Sequence, residues 1–424
     1  MHINYDMKTG IILFTILFLV ANTSFGQTKN DIAELKQSVE ENLIGNILPF
    51  WTDNSVDPTG GFYGVVIDKD CPIANASKGA ILNARILWTF SRAYCMTNVE
   101  HYRSMADRAA EYYISHFIDA KYGGVFWLVD SEGRPKDMTK QTYAAAFGVY
   151  GLAEHFHATG DTNSLEAAKN IYHIMEEKTH DKARKGYIET FKRNYKPTSQ
   201  KGVDGMKGAT KTMNTHIHIL EAYTALYKVW PNEELKINLR ELIGILQHEL
   251  YSPATKHLIL FCDNEWNSIG QVDSYGHDIE TSWLMTEAAE VLGDTNVLEA
   301  VKKQAVEMVD VALAEGLNVE GAMIYEKVGD EYRKDLSWWP QCEAIVGCIN
   351  AWQITGNKKY FDAATRVWNY AKCHFVDNSN GGWFKALTAD GKPKREPKVS
   401  MWNCPYHNSR MAFELSVRLF PFES

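Results

Sequence analysis

The 424-residue sequence predicts an all-α toroid, an (α/α)6 barrel of about twelve helices with short β-hairpins at the rim of a central pocket; three observations lead there. The first is a repeat. A glycine, an aromatic or β-branched run and a polar turn recur in "GGFYGVVIDKD" (60–70), "YGGVFWLVDSEGRP" (122–135), "KGYIETFKRNY" (185–195), "KHLILFCDNEWN" (256–267), "EGAMIYEKVGDEYR" (320–333) and "GGWFKALTADGKP" (381–393). The steps between Gly61, Gly124, Gly186, His257, Gly321 and Gly382 are 63, 62, 71, 64 and 61 residues, and a fixed period of this length marks a repeat architecture. The second is helical periodicity in the stretches between the copies, many of which stop at Gly-Asp or Gly-Asn, a helix end followed by a cap for the next helix. The third is an alternation of faces. Helices such as "AAAFGVYGLA" are apolar nearly all round, while partners such as "SLEAAKNIYHIMEE" carry charge on one side, as inner and outer rings require. Six such pairs close a ring; an open solenoid would need polar capping repeats, and none is evident.

In chain order, Lys8, the apolar run "IILFTILFLV" (11–20) and the small residues of "ANTSFGQ" read as an export signal over 1–26, with Met7 as the effective start and the periplasm as destination. Ten apolar residues are too few to span a bilayer, so no membrane association is expected after cleavage. Residues 27–424 are then one catalytic barrel. "LNARILWTFSRAY" opens an inner helix and carries Arg85; "TYAAAFGVYGLAEHFHATG" carries Tyr143 at the start of the next. In "TMNTHIHILEAY" (212–223), Asn214 and His218 share a face at i,i+4, whereas His216 points elsewhere. "SYGHDIETSWL" (274–284) places Asp278 in a first turn, with His277 and Glu280 three apart. "SWWPQCEAIVG" (337–347) puts Trp338 and Trp339 just ahead of Pro340, a plausible first helical residue, with Glu343 one turn in. "MWNCPYHNSR" (401–410) repeats the arrangement, with Trp402 in the entering loop, Pro405 at the helix start and His407 in the first turn. Four motifs thus start four helices on one rim.

Composition narrows the partners. A net charge of -9 without any basic block disfavours nucleic acid. An aromatic share of 12%, with 12 Trp and 21 Tyr, suits a ligand with flat apolar faces. Seven scattered cysteines are not a disulfide framework, and mostly free, buried thiols are expected even in an exported protein. Solitary histidines at 155, 157, 173 and 248 read as core residues. No His-Glu-x-x-His occurs and "HIH" cannot chelate from one helix face, so no catalytic metal is expected.

A helix N-terminus disfavours imidazolium, which would leave His407 a base at neutral pH. Asp278 and Glu280 would instead hold a proton on His277, giving an acid/base pair. Trp339 and Trp402 offer faces for a pyranose ring; Asn214, Glu343 and Arg85 could fix its hydroxyls, although Arg85 also reads as a buried ion-pair partner. A sugar is the predicted ligand. A glycoside hydrolase using Glu280 and Glu343 and a sugar-binding protein without turnover are the competing readings.

The motifs "MNTHIHILEAY", "SYGHDIETSWL", "WWPQCEAIVG" and "WNCPYHNSR" resemble the cellobiose 2-epimerase branch of the N-acylglucosamine 2-epimerase family, in order and spacing, from about residue 35 to the end. The resemblance implies an (α/α)6 barrel and cofactor-independent epimerisation at carbon 2 of the reducing-end sugar of a β-1,4-linked disaccharide, cellobiose or mannobiose. It implies His277 and His407 as acid/base residues, His218 as a third active-site histidine, Glu280 as the carboxylate beside them and Arg85 near the reducing-end sugar. Tyr143, Asn214, Trp338, Trp339, Glu343 and Trp402 match sugar-lining positions, with Tyr325 and Glu326 of the fifth hairpin as further members. An N-acyl-sugar epimerase or an aldose-ketose isomerase on the same fold is the nearest alternative, and a monomer or weak homodimer is expected.

Overall fold

The computed structural model describes residues 29–199 and 202–419; the export signal predicted over 1–26 lies outside the described residues. Six helices form an inner ring: α3 (Ala80–Thr97), α5 (Thr142–Thr159), α7 (Met213–Val229), α9 (Tyr275–Leu292), α11 (Trp338–Thr355) and α13 (Tyr406–Arg418). Each packs on the next, and α13 returns to α3, so the ring is closed. Outside them lie α4 (Glu100–Phe117), α6 (Thr162–Lys178), α8 (Glu233–His248), α10 (Thr295–Gly316) and α12 (Lys358–His374), each packed on the inner helix that precedes it. The sixth pair differs. α13 ends the described chain, and its outer partner is α1 (Lys29–Asn42), which runs through a π-helical turn (Leu43–Ile47) into α2 (Leu48–Asn54). The first and last described helices thus share one unit and close the ring together.

The faces follow from the residues. In α11 every residue from Trp338 to Trp352 is buried, whereas α12 buries only the stripe Tyr360, Phe361, Ala363, Ala364, Val367, Trp368 and Ala371. Gly347 lets α11 approach α9 closely, since a Cβ there would lie 2.8 Å from the Ile279 carbonyl oxygen. The predicted stops occur: Gly160, Gly293 and Gly356 end α5, α9 and α11 in left-handed conformation. Asp161, Asp294 and Asn357 then cap α6, α10 and α12 through their side chains.

The six predicted hairpins take a different form. Each recurring stretch closes a tight turn after an outer helix through a single bridge, at Val56–Phe62, Ile118–Val125, His180–Tyr187, Tyr251–Leu258, Leu317–Met323 and Val376–Trp383. Its strand residues then pair mainly with the neighbouring unit. Leu128–Val129 joins Lys78–Gly79, Thr190–Phe191 joins Lys140–Gln141, Phe261–Cys262 joins Lys211–Thr212, and Ala386–Leu387 joins Leu336–Ser337, all antiparallel. The paired dipeptides immediately precede inner helices, so these ladders fix where those helices begin.

Buried ion pairs reinforce the same rim. Lys78, Lys140 and Lys211 each stand two residues before an inner helix and meet Asp57, Asp119 and Asp181 of the adjacent turns at 2.8, 3.0 and 3.0 Å; Lys398 meets Asp377 at 2.6 Å. Lys78, Lys140 and Lys398 also donate to turn carbonyls of Gly60, Gly123 and Gly381. Burial opposes the charge of Asp57, but Lys78 and Thr59 outweigh it and hold its carboxyl below the usual range. Removing one partner of a pair this dry strands the other charge. Lys78→Met is expected to lower the unfolding free energy by about 3–5 kcal/mol, measured as a shift of the urea midpoint at unchanged slope.

Candidate active site

The candidate residues arrive from the first turns of the inner helices. His277 is the third residue of α9, His407 the second of α13, and His218 the sixth of α7. One indole touches two of them: the Trp339 ring lies 4.7 Å from the His277 ring and 5.6 Å from the His407 ring. That placement needs Gly276, because a Cβ there would collide with the Trp339 ring at 2.7 Å. Trp338 packs edge-on against His407 at 6.0 Å. His218 is in contact with Tyr143, Phe147 and Tyr406.

Each imidazole is oriented through Nδ1. His407 Nδ1 lies 2.6 Å from Glu343 Oε1, His218 Nδ1 3.1 Å from Glu221 Oε2, and His277 Nδ1 2.7 Å from the Ser274 hydroxyl, leaving all three Nε2 atoms without a protein partner among the described residues. Nδ1–H donation to Glu343 makes His407 Nε2 a lone-pair acceptor, the arrangement of an oriented general base.

Beneath the histidines, Arg410 gathers the carboxylates. Its Nη2 donates to Glu280 at 2.6 Å and to Glu343 at 2.7 Å, and its Nη1 donates to Glu221 and Tyr406. The Tyr406 hydroxyl donates to both oxygens of Glu221 at 2.5 and 2.6 Å, and Trp283 Nε1 donates to Glu343 at 3.0 Å. Burial works against the charge of Glu221, yet Arg410 and His218 prevail and hold it at about 2. Glu280 goes the other way: burial and neighbouring Glu343 push it up to about 7 despite Arg410. The ligand atoms of Glu280, Glu343 and His407 lie close enough together for a metal, but the guanidinium already sits against both carboxylates.

The expected opposition between the two histidines is not found. Asp278 turns outward to His257 Nδ1 at 2.7 Å and the Leu258 amide, and Glu280 is taken by Arg410, so neither supports a proton on His277. Burial, with His218 nearby, lowers His277 to about 3 even though the residue keeps some exposure. His407 is held well below its ordinary value, and the main cause is burial, followed by Arg85 and Arg410. Burial also lowers His218. The free protein therefore presents three neutral imidazoles.

Arg85 is not an ion-pair partner. It donates to the Tyr143 hydroxyl at 2.9 Å and to Cys404 Sγ at 3.6 Å and stacks on Phe147 and Tyr406, and no carboxylate of the described residues lies within ion-pair distance. Its Nε is buried without a partner. A positive charge left uncompensated beside His407 is a ready stabiliser for a developing oxyanion.

The remaining candidates line the mouth. Trp402, 36% exposed, stands on the entering loop 6.2 Å from the Trp127 and Tyr143 rings. Tyr325 packs edge-on against Trp339 at 5.8 Å, whereas Glu326 is turned to Arg333 at 2.7 Å. Asn214 donates to Asp204 at 3.2 Å. Pro340 is the third residue of α11 instead of its first, so both tryptophans belong to the helix. His216 is structural, with Nδ1 against the Thr212 carbonyl and Nε2 accepting from the Tyr187 amide.

Arg410, Glu221, Ser274, Trp127 and Asp204 are absent from the sequence reading. Arg410 and Glu221 were within reach of it, each three residues beyond a chosen histidine and so on the same helix face. Of the four histidines read as core, only His155 is buried; His157, His173 and His248 lie on the surface. All seven cysteines are free, with Cys71, Cys95 and Cys373 exposed. A groove of about 730 Å³ lies outside the ring between α4 and α6 and holds none of the candidate residues, so chemistry and not cavity size locates the site.

A closed ring of helix pairs with imidazoles, indoles and an unpaired guanidinium at its rim defines an (α/α)6-barrel protein equipped for proton transfer. The sequence profile of N-acylglucosamine 2-epimerase (GlcNAc 2-epimerase) matches residues 60–409, and the chain belongs to that family. It is 42% identical over 386 residues to a cellobiose 2-epimerase of Bacteroides fragilis, covering 90% of this chain and 98% of the relative. A cellobiose 2-epimerase of Ruminococcus albus is 38% identical over 400 residues, covering 91% and 98%. Among solved structures, the cellobiose 2-epimerase of Bacillus thermoamylovorans superposes with a TM-score of 0.86 at 35% identity, over 91% of this chain and all of that one.

Removing each arginine should have a different effect. Arg410→Met strands three buried carboxylates and is expected to lower stability by about 3–5 kcal/mol or more. Arg85→Met removes an unpaired buried charge; thermal unfolding should stay at or above wild type while turnover falls about 10²–10³-fold.

Proposed function

We propose that the chain interconverts glucose and mannose at the reducing end of β-1,4-linked disaccharides by moving the proton on carbon 2. The observation that carries this reading is the pair of neutral imidazoles, His277 and His407, from separate helices against one indole. It is supported by relatives described as cellobiose 2-epimerases. Opening of the sugar ring exposes an aldehyde that acidifies the carbon 2 hydrogen. His407 Nε2 takes that proton, the C–H electrons form the carbon 1–carbon 2 double bond, and the carbonyl electrons move onto oxygen 1. Glu343 stabilises the imidazolium produced, and Arg85 stabilises the enediolate oxygen. Rotation about the carbon 2–carbon 3 bond presents the opposite face. As negative charge builds on the sugar, the proton affinity of His277 rises; it takes a proton from solvent and delivers it to carbon 2 while the oxygen 1 electrons reform the carbonyl, and His407 returns its proton to solvent. The reverse direction exchanges the two roles. Trp339 and Trp402 hold the sugar rings, with Tyr143, Asn214 and Tyr325 at their edges.

Mannobiose and cellobiose are both proposed substrates, and no cofactor is required for these steps. Residues 1–26 support export to the periplasm, which cell fractionation tests. No helix of the described residues is long and apolar enough to cross a membrane.

Incubation with cellobiose or β-1,4-mannobiose in heavy water is expected to yield the epimeric disaccharide with deuterium at carbon 2. Monosaccharide products would favour a hydrolase, and a ketose would favour an isomerase. His277→Ala and His407→Ala should each abolish exchange with the far-ultraviolet spectrum unchanged; full exchange in either refutes the pair.

The pH profile supplies a separate check. The reaction needs neutral imidazole, and lowered pKa values preserve that form as acid is added. kcat/KM is expected to stay level as pH falls through about 6.5, the ordinary histidine value; an acid limb centred there would contradict the assignment.

A further inference from the structure

The inner helices end in a second constellation, at the face of the barrel opposite the candidate active site. Cys95 lies in the last turn of α3, and Glu154 and His157 lie in the last turns of α5. The sulfur of Cys95 is 4.0 Å from His157 Nδ1, and that nitrogen is 3.5 Å from Glu154 Oε1; all three ligand atoms fall within 4.8 Å of one another. We propose that Cys95, Glu154 and His157 form a zinc site that ties α3 to α5.

The geometry is close to what the ion requires. Zinc binds thiolate at about 2.3 Å, imidazole at about 2.0–2.1 Å and carboxylate at about 2.0–2.2 Å, so tetrahedral donors stand roughly 3.3–3.6 Å apart. Small rotamer adjustments, chiefly of the exposed Cys95, bring the three atoms to those separations. Glu154 and His157 share a helix face at i,i+3, the Glu-x-x-His spacing by which helix bundles present metal ligands. Cys95 completes the set from the neighbouring helix.

Donor chemistry selects the ion. One thiolate, one imidazole and one carboxylate suit borderline Zn²⁺; calcium and magnesium want oxygen cages, and copper(I) wants more sulfur. Access is open, because the Cys95 thiol is exposed and the His157 side chain is 52% exposed, which leaves a fourth position for water. Arg92 meets Glu154 through the same oxygen, Oε1, at the long distance of 3.5 Å, and the metal would displace that contact. None of the three residues belongs to the candidate active site.

The test uses the chelator-treated mature protein and a chromophoric zinc indicator. One equivalent of Zn²⁺ per chain is expected, with a raised thermal midpoint; Co²⁺ should give a thiolate-to-metal charge-transfer band and tetrahedral d–d bands. Cys95→Ser and His157→Ala should each weaken zinc binding 100-fold or more and abolish the charge-transfer band, with epimerisation of cellobiose at the wild-type rate. Cys71→Ser and Cys373→Ser should change nothing. The site is overturned if the wild-type protein takes up no equivalent, or if Cys95→Ser and His157→Ala both retain it. Loss of binding on replacing Cys71 or Cys373 instead overturns it as well.

Discussion

One buried guanidinium holds the site together. Arg410 on α13 donates to Glu221 on α7, Glu280 on α9 and Glu343 on α11, so four of the six inner helices meet on a single side chain. Three carboxylates in a dry interior would be prohibitive without that charge. The geometry of the histidines depends on it: Glu343 orients His407, and Glu221 orients His218. One guanidinium faces three acids, and burial together with neighbouring Glu343 pushes Glu280 up to about 7.

The rim carries that arrangement at a fixed height. Turn strands pair with the dipeptides that lead into inner helices, and four lysines bury themselves against aspartates of adjacent turns. Helix starts are thereby held relative to their neighbours, and side chains in the first turns inherit that precision. Gly276 shows how tight the fit is, since the backbone beside His277 is the seat of the Trp339 ring.

Much of this is legible in the chain. The 64-residue repeat, the Gly-Asp and Gly-Asn stops, the all-apolar inner helices and the i,i+4 partnership of Asn214 with His218 are local patterns, and local patterns survive into the fold. His216 was separable from His218 for the same reason, because two residues apart on a helix never share a face. Misreadings arose where a partner lies far along the chain. Asp278 looks from the sequence like a neighbour of His277, but its carboxylate is bound 21 residues back, at His257. His157 follows an apolar run, yet it falls at the end of α5, where the barrel stops and solvent begins.

Residue order by itself determined the number of units, the alternation of buried and half-buried helices, and the rim on which histidines and tryptophans gather, since each depends on spacing within one helix or one repeat. Tertiary structure alone decided the protonation of those histidines, the lack of an ion-pair partner for Arg85 among the described residues, and the pairing of α13 with α1. These depend on which charges share a low-dielectric interior and on how a ring closes, and both are set by contacts between residues tens to hundreds of positions apart.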